Sequence, residues 1–207
     1  MHAATFAPEE PKVYETFLEV LNERPSFSII VVNAPIGFLD NHESPPRTCD
    51  RESRAMLGRR GSAVHNAPTR DVLDEGADLT GSNLDAISRT LLPRYREVAI
   101  EMSPYRQRVV YEGHPELSFY QLNDNLPLRK SKKIREGSDE RRDVLEKKMP
   151  GANKILDSEI EGGVPRKHLF DAAALLWTAR RVFGHAAIRL PSEAEWDSEG
   201  LRMEIVL

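Results

Sequence analysis

The chain has 207 residues, one cysteine and a formal net charge of -4. That length can bury a proper core and implies one domain over residues 1–207. Cys49 alone excludes an intramolecular disulfide framework and points to a reducing compartment, and the acidic balance excludes a global positive field acting on nucleic acid or acidic membrane.

The first residues, M-H-A-A-T-F-A-P-E-E-P, lack the apolar core of a signal peptide, and no apolar stretch reaches membrane-spanning length. A cytoplasmic protein with no membrane partner is expected. Residues 11–24 follow helical spacing, with Val13, Phe17, Leu18 and Leu21 inward and Glu15, Glu19 and Glu23 outward. Phe27–Val32 then forms an apolar run between Pro25 and Pro35, the pattern of a strand buried on both faces. Thr48 can cap a helix to about Leu57, with Gly58 as its stop. Arg59 to Asp71 reads as a turn-rich loop. Ser82-Asn83-Leu84-Asp85 has the form of a capping box before a helix bearing Leu84, Ile87, Leu91, Tyr95 and Val98, with Pro93 as a kink.

Arg108 to Glu112 reads as a second strand, and Pro115 suits the first turn of the next helix. The basic run Arg129 to Arg135 precedes a charged helix over 138–148, and a short helix over 152–161 follows. Pro165 to Phe183 is the clearest helix, stopped by Gly184, and Leu201 to Leu207 closes the chain as a strand. Strands separated by groups of helices mean an α/β or α+β fold.

In open α/β sheets chemistry collects past the carboxyl ends of strands. Asn33 follows the first strand, Glu116 lies past the second, and Asp171 sits among apolar neighbours on the long helix. Such oxygen donors can converge on Mg²⁺ or Mn²⁺, and two metal ions can clamp a phosphoryl transfer. The plainer alternative for Glu116 is a favourable interaction with the helix dipole. Arg59-Arg60-Gly61-Ser62 forms a small turn able to hold a phosphate, or simply a basic helix end. Lys132 and Lys133, in the basic run, can contact a phosphate backbone, or belong to a solvated loop. His114 stands beside the suspected site, where a hydrogen-bonded structural role is the ordinary one.

Six stretches carry a resemblance: V-V-N-A-P-I-G-F, C-D-R-E-S-R-A-M-L-G-R-R-G-S-A-V-H-N-A-P, L-L-P-R-Y-R-E-V, Y-E-G-H-P-E-L-S-F, S-K-K and F-D-A-A-A-L-L-W-T-A-R. In that order, from about residue 13 to 207, they resemble the predicted ribonuclease-H-like nuclease family known as domain of unknown function 429. The resemblance implies a ribonuclease-H-like mixed sheet flanked by helices, with a helical insertion over about 38–107. It implies metal-dependent phosphodiester hydrolysis with Glu116 and Asp171 as metal ligands and Asn33 at the site. Arg59, Arg60, Ser62, His114, Lys132 and Lys133 would contact phosphate or substrate.

Two departures qualify it. The family has an aspartate where this chain has Asn33, and its members begin with a V-D-G strand that has no counterpart here. An amide can ligate a metal but supplies no charge to hold it. Without that strand the N-terminal part is incomplete and Phe27–Val32 becomes an edge. Residues 3–7 could supply a remnant strand, a second copy could pair there to give a homo-oligomer, or Met1 could be an internal methionine. The alternative to a hydrolase is a non-catalytic pseudoenzyme that binds nucleic acid, nucleotide or a protein through the same cleft.

Overall fold

Short strands separated by runs of helices make up the chain in a computed structural model that describes residues 10–42, 45–80, 82, 84–160 and 163–207. The first helix, α1 (Phe17–Asn22), is shorter than its periodicity predicts and begins where the Thr16 hydroxyl accepts the Glu19 N–H. Strand β1 spans Ile30–Val32, three half-buried residues rather than a longer strand covered on both faces. Helix α2 (Thr48–Leu57) ends at Gly58, which takes φ +54°. Thr48 does not cap it; its hydroxyl donates to Glu195 Oε1 at 2.7 Å.

Helix α3 (Ala86–Glu101) is capped by Asp85, whose carboxylate accepts the Ser88 N–H at 2.7 Å, so the cap lies three residues beyond Ser82. Asn83 of the expected capping box lies outside the described residues, as does the expected remnant strand over residues 3–7. Strand β2 (Val110–Glu112) leads through Gly113 and His114 into α4 (Pro115–Leu122). Helices α5 (Arg135–Lys148), α6 (Ala152–Leu156) and α7 (Arg166–Phe183) follow. Of the predicted closing strand, Ile205–Val206 forms β4, antiparallel to an unforeseen β3 (Arg189–Leu190).

β1 pairs with β2 in parallel, Ile30 opposite Val110 and Val32 opposite Glu112. β1–β2 and β3–β4 are two two-stranded sheets, and an isolated parallel bridge between Gly113 and Val206 sets β4 beside the end of β2. The fold is thus mixed α/β, with seven α-helices among the described residues. Among those residues β1 has no strand on its other edge, and no helix is long and apolar enough to cross a membrane.

Four apolar clusters form among the described residues, and two of them surround the turn from β2 into α4. Phe119, Leu122, Leu145, Met149, Leu156, Phe170 and Ala174 join α4, α5, α6 and α7. Leu57, Leu117, Leu190, Ile205 and Leu207 join α2 and α4 to the β3–β4 pair. Gly113 lets β2 approach both neighbours. A Cβ there would lie 2.4 Å from Val31 Cγ1 and 3.0 Å from Leu175 Cδ2 of α7. This close approach brings the start of α4 beside the middle of α7, at Leu175 and Thr178.

Candidate functional site

The turn from β2 into α4 is fixed by its histidine. His114 is the N-cap, its Nδ1 accepting the Glu116 N–H at 3.2 Å. The proton therefore sits on Nε2, which donates to the Ala63 carbonyl at 3.1 Å. Burial pushes the imidazole pKa down to about 4, against the pull of the nearby Glu116 charge. At neutral pH His114 is an uncharged cap that ties the 3₁₀ turn Gly58–Ala63 to α4.

That tie brings Arg60 to Glu116. The buried carboxylate receives Arg60 Nη2 on Oε2 at 2.9 Å and Arg141 Nη2 on Oε1 at 2.5 Å. Burial alone would raise its pKa, but the Arg141 charge and the Arg60 hydrogen bond outweigh it and hold Glu116 below the ordinary carboxylate range. Arg141 is fully buried on α5, on the same face as Gly137 and Leu145. It also donates to the Lys130 and Gly137 carbonyls, at 3.2 and 3.0 Å, and lies 5.2 Å from the Phe119 ring centre.

The basic loop before α5 completes the group. Gly137 is needed for its approach, since a Cβ there would meet Ser131 O at 1.9 Å. The Glu140 carboxylate accepts the Arg129 and Lys130 N–H groups, each at 2.9 Å. Held in this way, Lys132 donates to Asp171 Oδ2 at 2.6 Å. Asp171 Oδ1 is buried without a hydrogen-bond partner. Burial raises the Asp171 pKa, Lys132 opposes that, and Glu116 adds to it through its charge. Glu116 and Asp171 thus lie in one electrostatic neighbourhood, joined further by the Ser118–Thr178 hydroxyl pair at 2.7 Å between α4 and α7.

The other expected site residues divide. Arg59, Ser62 and Lys133 are exposed, next in sequence to members of this group or close to them. Asn33 is not among the partners of Glu116 or Asp171. It is exposed and lines a groove of about 270 Å³ with Thr16, Phe17, Val32, Arg94, Glu97 and Val98, between α1, α3 and the end of β1. The residue that does stand at a strand end in a buried ionic site is Glu112, opposite Val32 in register.

Glu112 belongs to a cluster that no sequence motif announces. Arg47 Nη2 reaches Glu112 Oε1 and Asp50 Oδ1, both at 2.7 Å, and Arg47 Nε reaches Asp50 Oδ2 at 3.1 Å. Arg47 Nη1 donates to Glu112 Oε2 and to the Ile36 and Gly37 carbonyls. The Ile36 N–H donates to Glu112 Oε2 at 2.7 Å. All three charged side chains are buried. Burial pushes the Glu112 carboxyl up to about 7, against Arg47 and with help from Asp50. The one available signal is its place at the end of β2. For Arg141 the signal is its position four residues before Leu145 on one helical face.

A divalent cation does not fit the Glu116 site as built. Both Glu116 oxygens face guanidinium groups and Asp171 faces an ammonium, so an added cation would meet Arg60, Arg141 and Lys132. Among the described residues no group of three or more His, Cys, Asp or Glu side chains is placed to hold a metal ion. What the arrangement can do is present positive charge. Three cations face two carboxylates, and the side chains of Arg60 and Lys132 are 25% and 34% exposed.

No curated protein and no solved structure matches the chain. A family model described as "Protein of unknown function (DUF429)" matches residues 2–196. Because that match spans nearly all of the 207 residues, including the Arg60, Glu116, Arg141 and Asp171 positions, the chain belongs to the DUF429 family.

Proposed function

We propose that this chain is a ribonuclease-H-like domain that binds the phosphate groups of a nucleic acid or nucleotide at Arg60 and Lys132, without metal-dependent hydrolysis. The parallel β1–β2 pair, with the antiparallel β3–β4 pair bridged to its end and helices packed around them, supports the fold reading. The observation that carries the function is the double engagement of Glu116 by Arg60 and Arg141. A carboxylate held by two guanidinium groups has no charge left for a metal, while Arg60 retains N–H groups and exposure to meet an anion. Arg59, Ser62 and Lys133 extend the same exposed polar surface.

Metal-dependent phosphodiester hydrolysis is the second reading, and one observation favours it. Asp171 Oδ1 is buried and unpartnered, as a ligand atom awaiting a cation would be. Two measurements separate the readings. Anisotropy of a labelled oligonucleotide, followed from low to high salt, should show binding that falls steeply with salt. In an Arg60→Gln variant its log–log slope should shrink by roughly 0.7–0.9 for each phosphate that the arginine neutralises. Calorimetry with Mg²⁺ and Mn²⁺ should show no site heat, and labelled RNA, DNA and hybrid should stay intact. Metal-dependent cleavage that disappears in Asp171→Asn would overturn the binding-only reading.

A further inference from the structure

The run Arg129–Arg135 carries no interleaved aromatic residues, yet such interleaving occurs elsewhere on the surface. Arg108 stands 6.0 Å from the Tyr105 ring centre. The Tyr111 hydroxyl donates to the Arg108 carbonyl at 3.0 Å, and Arg189 lies 5.2 Å from the Tyr111 ring centre. Arg189 and Arg202 both reach Glu204. Arg202 in turn stands 6.0 Å from the Trp196 ring centre. The Gln107 side chain donates to the Arg202 carbonyl and accepts its N–H, each at 2.8 Å, closing the row back on the turn beside Arg108.

The result is a contiguous chain of three guanidinium–aromatic pairs on the turn 105–108, β2, β3 and the segment before β4. Two of its three rings are presented, Tyr105 at 78% exposed and Trp196 at 56%, while Tyr111 is half-buried. Arg189 and Arg202 share one carboxylate, Glu204, and Arg108 adds a third cation; of the acidic residues around Trp196, Glu195 accepts from Thr48, Asp197 and Glu199 are held by Arg70, and Glu193 is exposed. Exposed π-faces alternating with cations match a strand whose bases are unstacked and whose phosphates run alongside. A duplex keeps its bases stacked inside and offers such rings nothing to stack on.

We propose that this row is a binding platform for single-stranded nucleic acid, in which Tyr105 and Trp196 stack on bases and Arg108 and Arg202 face phosphates. It shares no residue with the Arg60–Lys132 site and does not depend on that site taking phosphate.

The test uses the full chain and a labelled 12-nucleotide oligothymidylate. The sequence has two tryptophans, so a Trp177→Phe variant leaves Trp196 as the reporter. Oligothymidylate should quench Trp196 fluorescence, and a duplex of equal length should bind more weakly. Trp196→Ala and Tyr105→Ala should each lower affinity by roughly tenfold or more, the size of one base–aromatic stack. Arg202→Gln should lower the salt slope by about 0.7 for each phosphate that the arginine neutralises. Both rings are exposed, so these variants should keep the wild-type circular dichroism spectrum. Loss of binding confined to Arg60→Gln, with both aromatic variants at wild-type affinity, would overturn this inference and leave the Arg60 reading standing. Loss confined to the aromatic variants would support it and sink the other. Quenching of Trp196 by polyglutamate but not by oligothymidylate would also overturn it, marking the row as a face for an acidic protein.

Discussion

Replacing Arg141 by methionine is the sharpest test of how the Glu116 site is built. Methionine keeps the aliphatic bulk against Phe119 but removes the guanidinium. Glu116 Oε1 loses its 2.5 Å partner, and the Lys130 and Gly137 carbonyls lose their donor. Breaking a buried ion pair on one side costs about 3–5 kcal/mol. Each of the two guanidinium–carbonyl hydrogen bonds removed is charge-assisted and adds about 1.5 kcal/mol. Arg60 remains on Oε2 and relieves part of this, so a loss of at least about 4 kcal/mol is expected, or about 8–16 °C in Tm for a chain of this size. Urea unfolding at pH 7 measures it directly. The double variant Glu116→Gln with Arg141→Met leaves no orphaned buried carboxylate, only the partly exposed Arg60, and should be more stable than the sum of the single losses predicts, with a coupling of at least about 1.5 kcal/mol. Acid should narrow the gap between Arg141→Met and the wild type. The depressed Glu116 pKa contributes stability above the unfolded value near 4.5, and that stability fades as pH falls through the lower folded value. A loss in Arg141→Met of less than about 1 kcal/mol, or simple addition of the two losses, would show that Arg141 does not hold the Glu116 charge.

Three further outcomes concern single residues. Between pH 6.5 and about 4 the unfolded chain binds a proton at position 114 that the folded chain refuses, so stability should fall with acidification by up to about 3 kcal/mol and then level off; urea midpoints of the wild type against His114→Asn, a non-titrating cap, isolate this. Gly113→Ala should cost about 1–3 kcal/mol by thermal denaturation, because its Cβ would stand 2.4 Å from Val31 Cγ1 with Leu175 close behind. Asp85→Ala should cost about 1 kcal/mol and raise amide exchange in the first turn of α3, where Ser88 N–H would lose its acceptor.

Where structure follows from neighbours in sequence, it can be read in advance. Gly58 and Gly184 stop α2 and α7 where their sequence places them, and Pro115 opens α4. β1 is shorter than expected because five apolar residues between prolines look like a central strand, whereas its faces are only half covered. β3 has no signal of its own, because two residues before Pro191 carry no periodicity and only the partner β4 defines it. The site is half visible. Position alone singles out Glu116 and Asp171, but their partners Arg60, Arg141 and Lys132 lie 56, 25 and 39 residues away, and a charged residue in isolation reads as solvated. The rule of strand ends draws in Asn33, and Glu112, which ends the adjacent strand, satisfies that rule instead.

Glu112 and Glu116 lie four residues apart on either side of the turn from β2 into α4, and their surroundings push them in opposite directions. At Glu112 one guanidinium, Arg47, serves two buried carboxylates, so one negative charge is left over inside the protein. Burial then drives the Glu112 carboxyl up to about 7. At Glu116 two guanidinium groups serve one carboxylate, so one positive charge is left over and the carboxyl is held down. The consequences differ because the excess lies in different places. The Arg47 cluster is buried, with Arg47 and Asp50 at the wall of a cavity of about 40 Å³, and the Ile36 N–H that Glu112 holds ties the loop after β1 to the end of β2, so a proton on Glu112 relieves its surplus. The surplus at Glu116 rests on Arg60, which is a quarter exposed, so it can be relieved by an anion from outside. The same residue type at two neighbouring positions therefore serves two ends: Glu112 fixes the strand–loop junction, and Glu116 orients a cation toward solvent. That asymmetry, more than the family's expected acidic ligands, is the physical ground for proposing a phosphate guest rather than a metal at the mouth of the sheet.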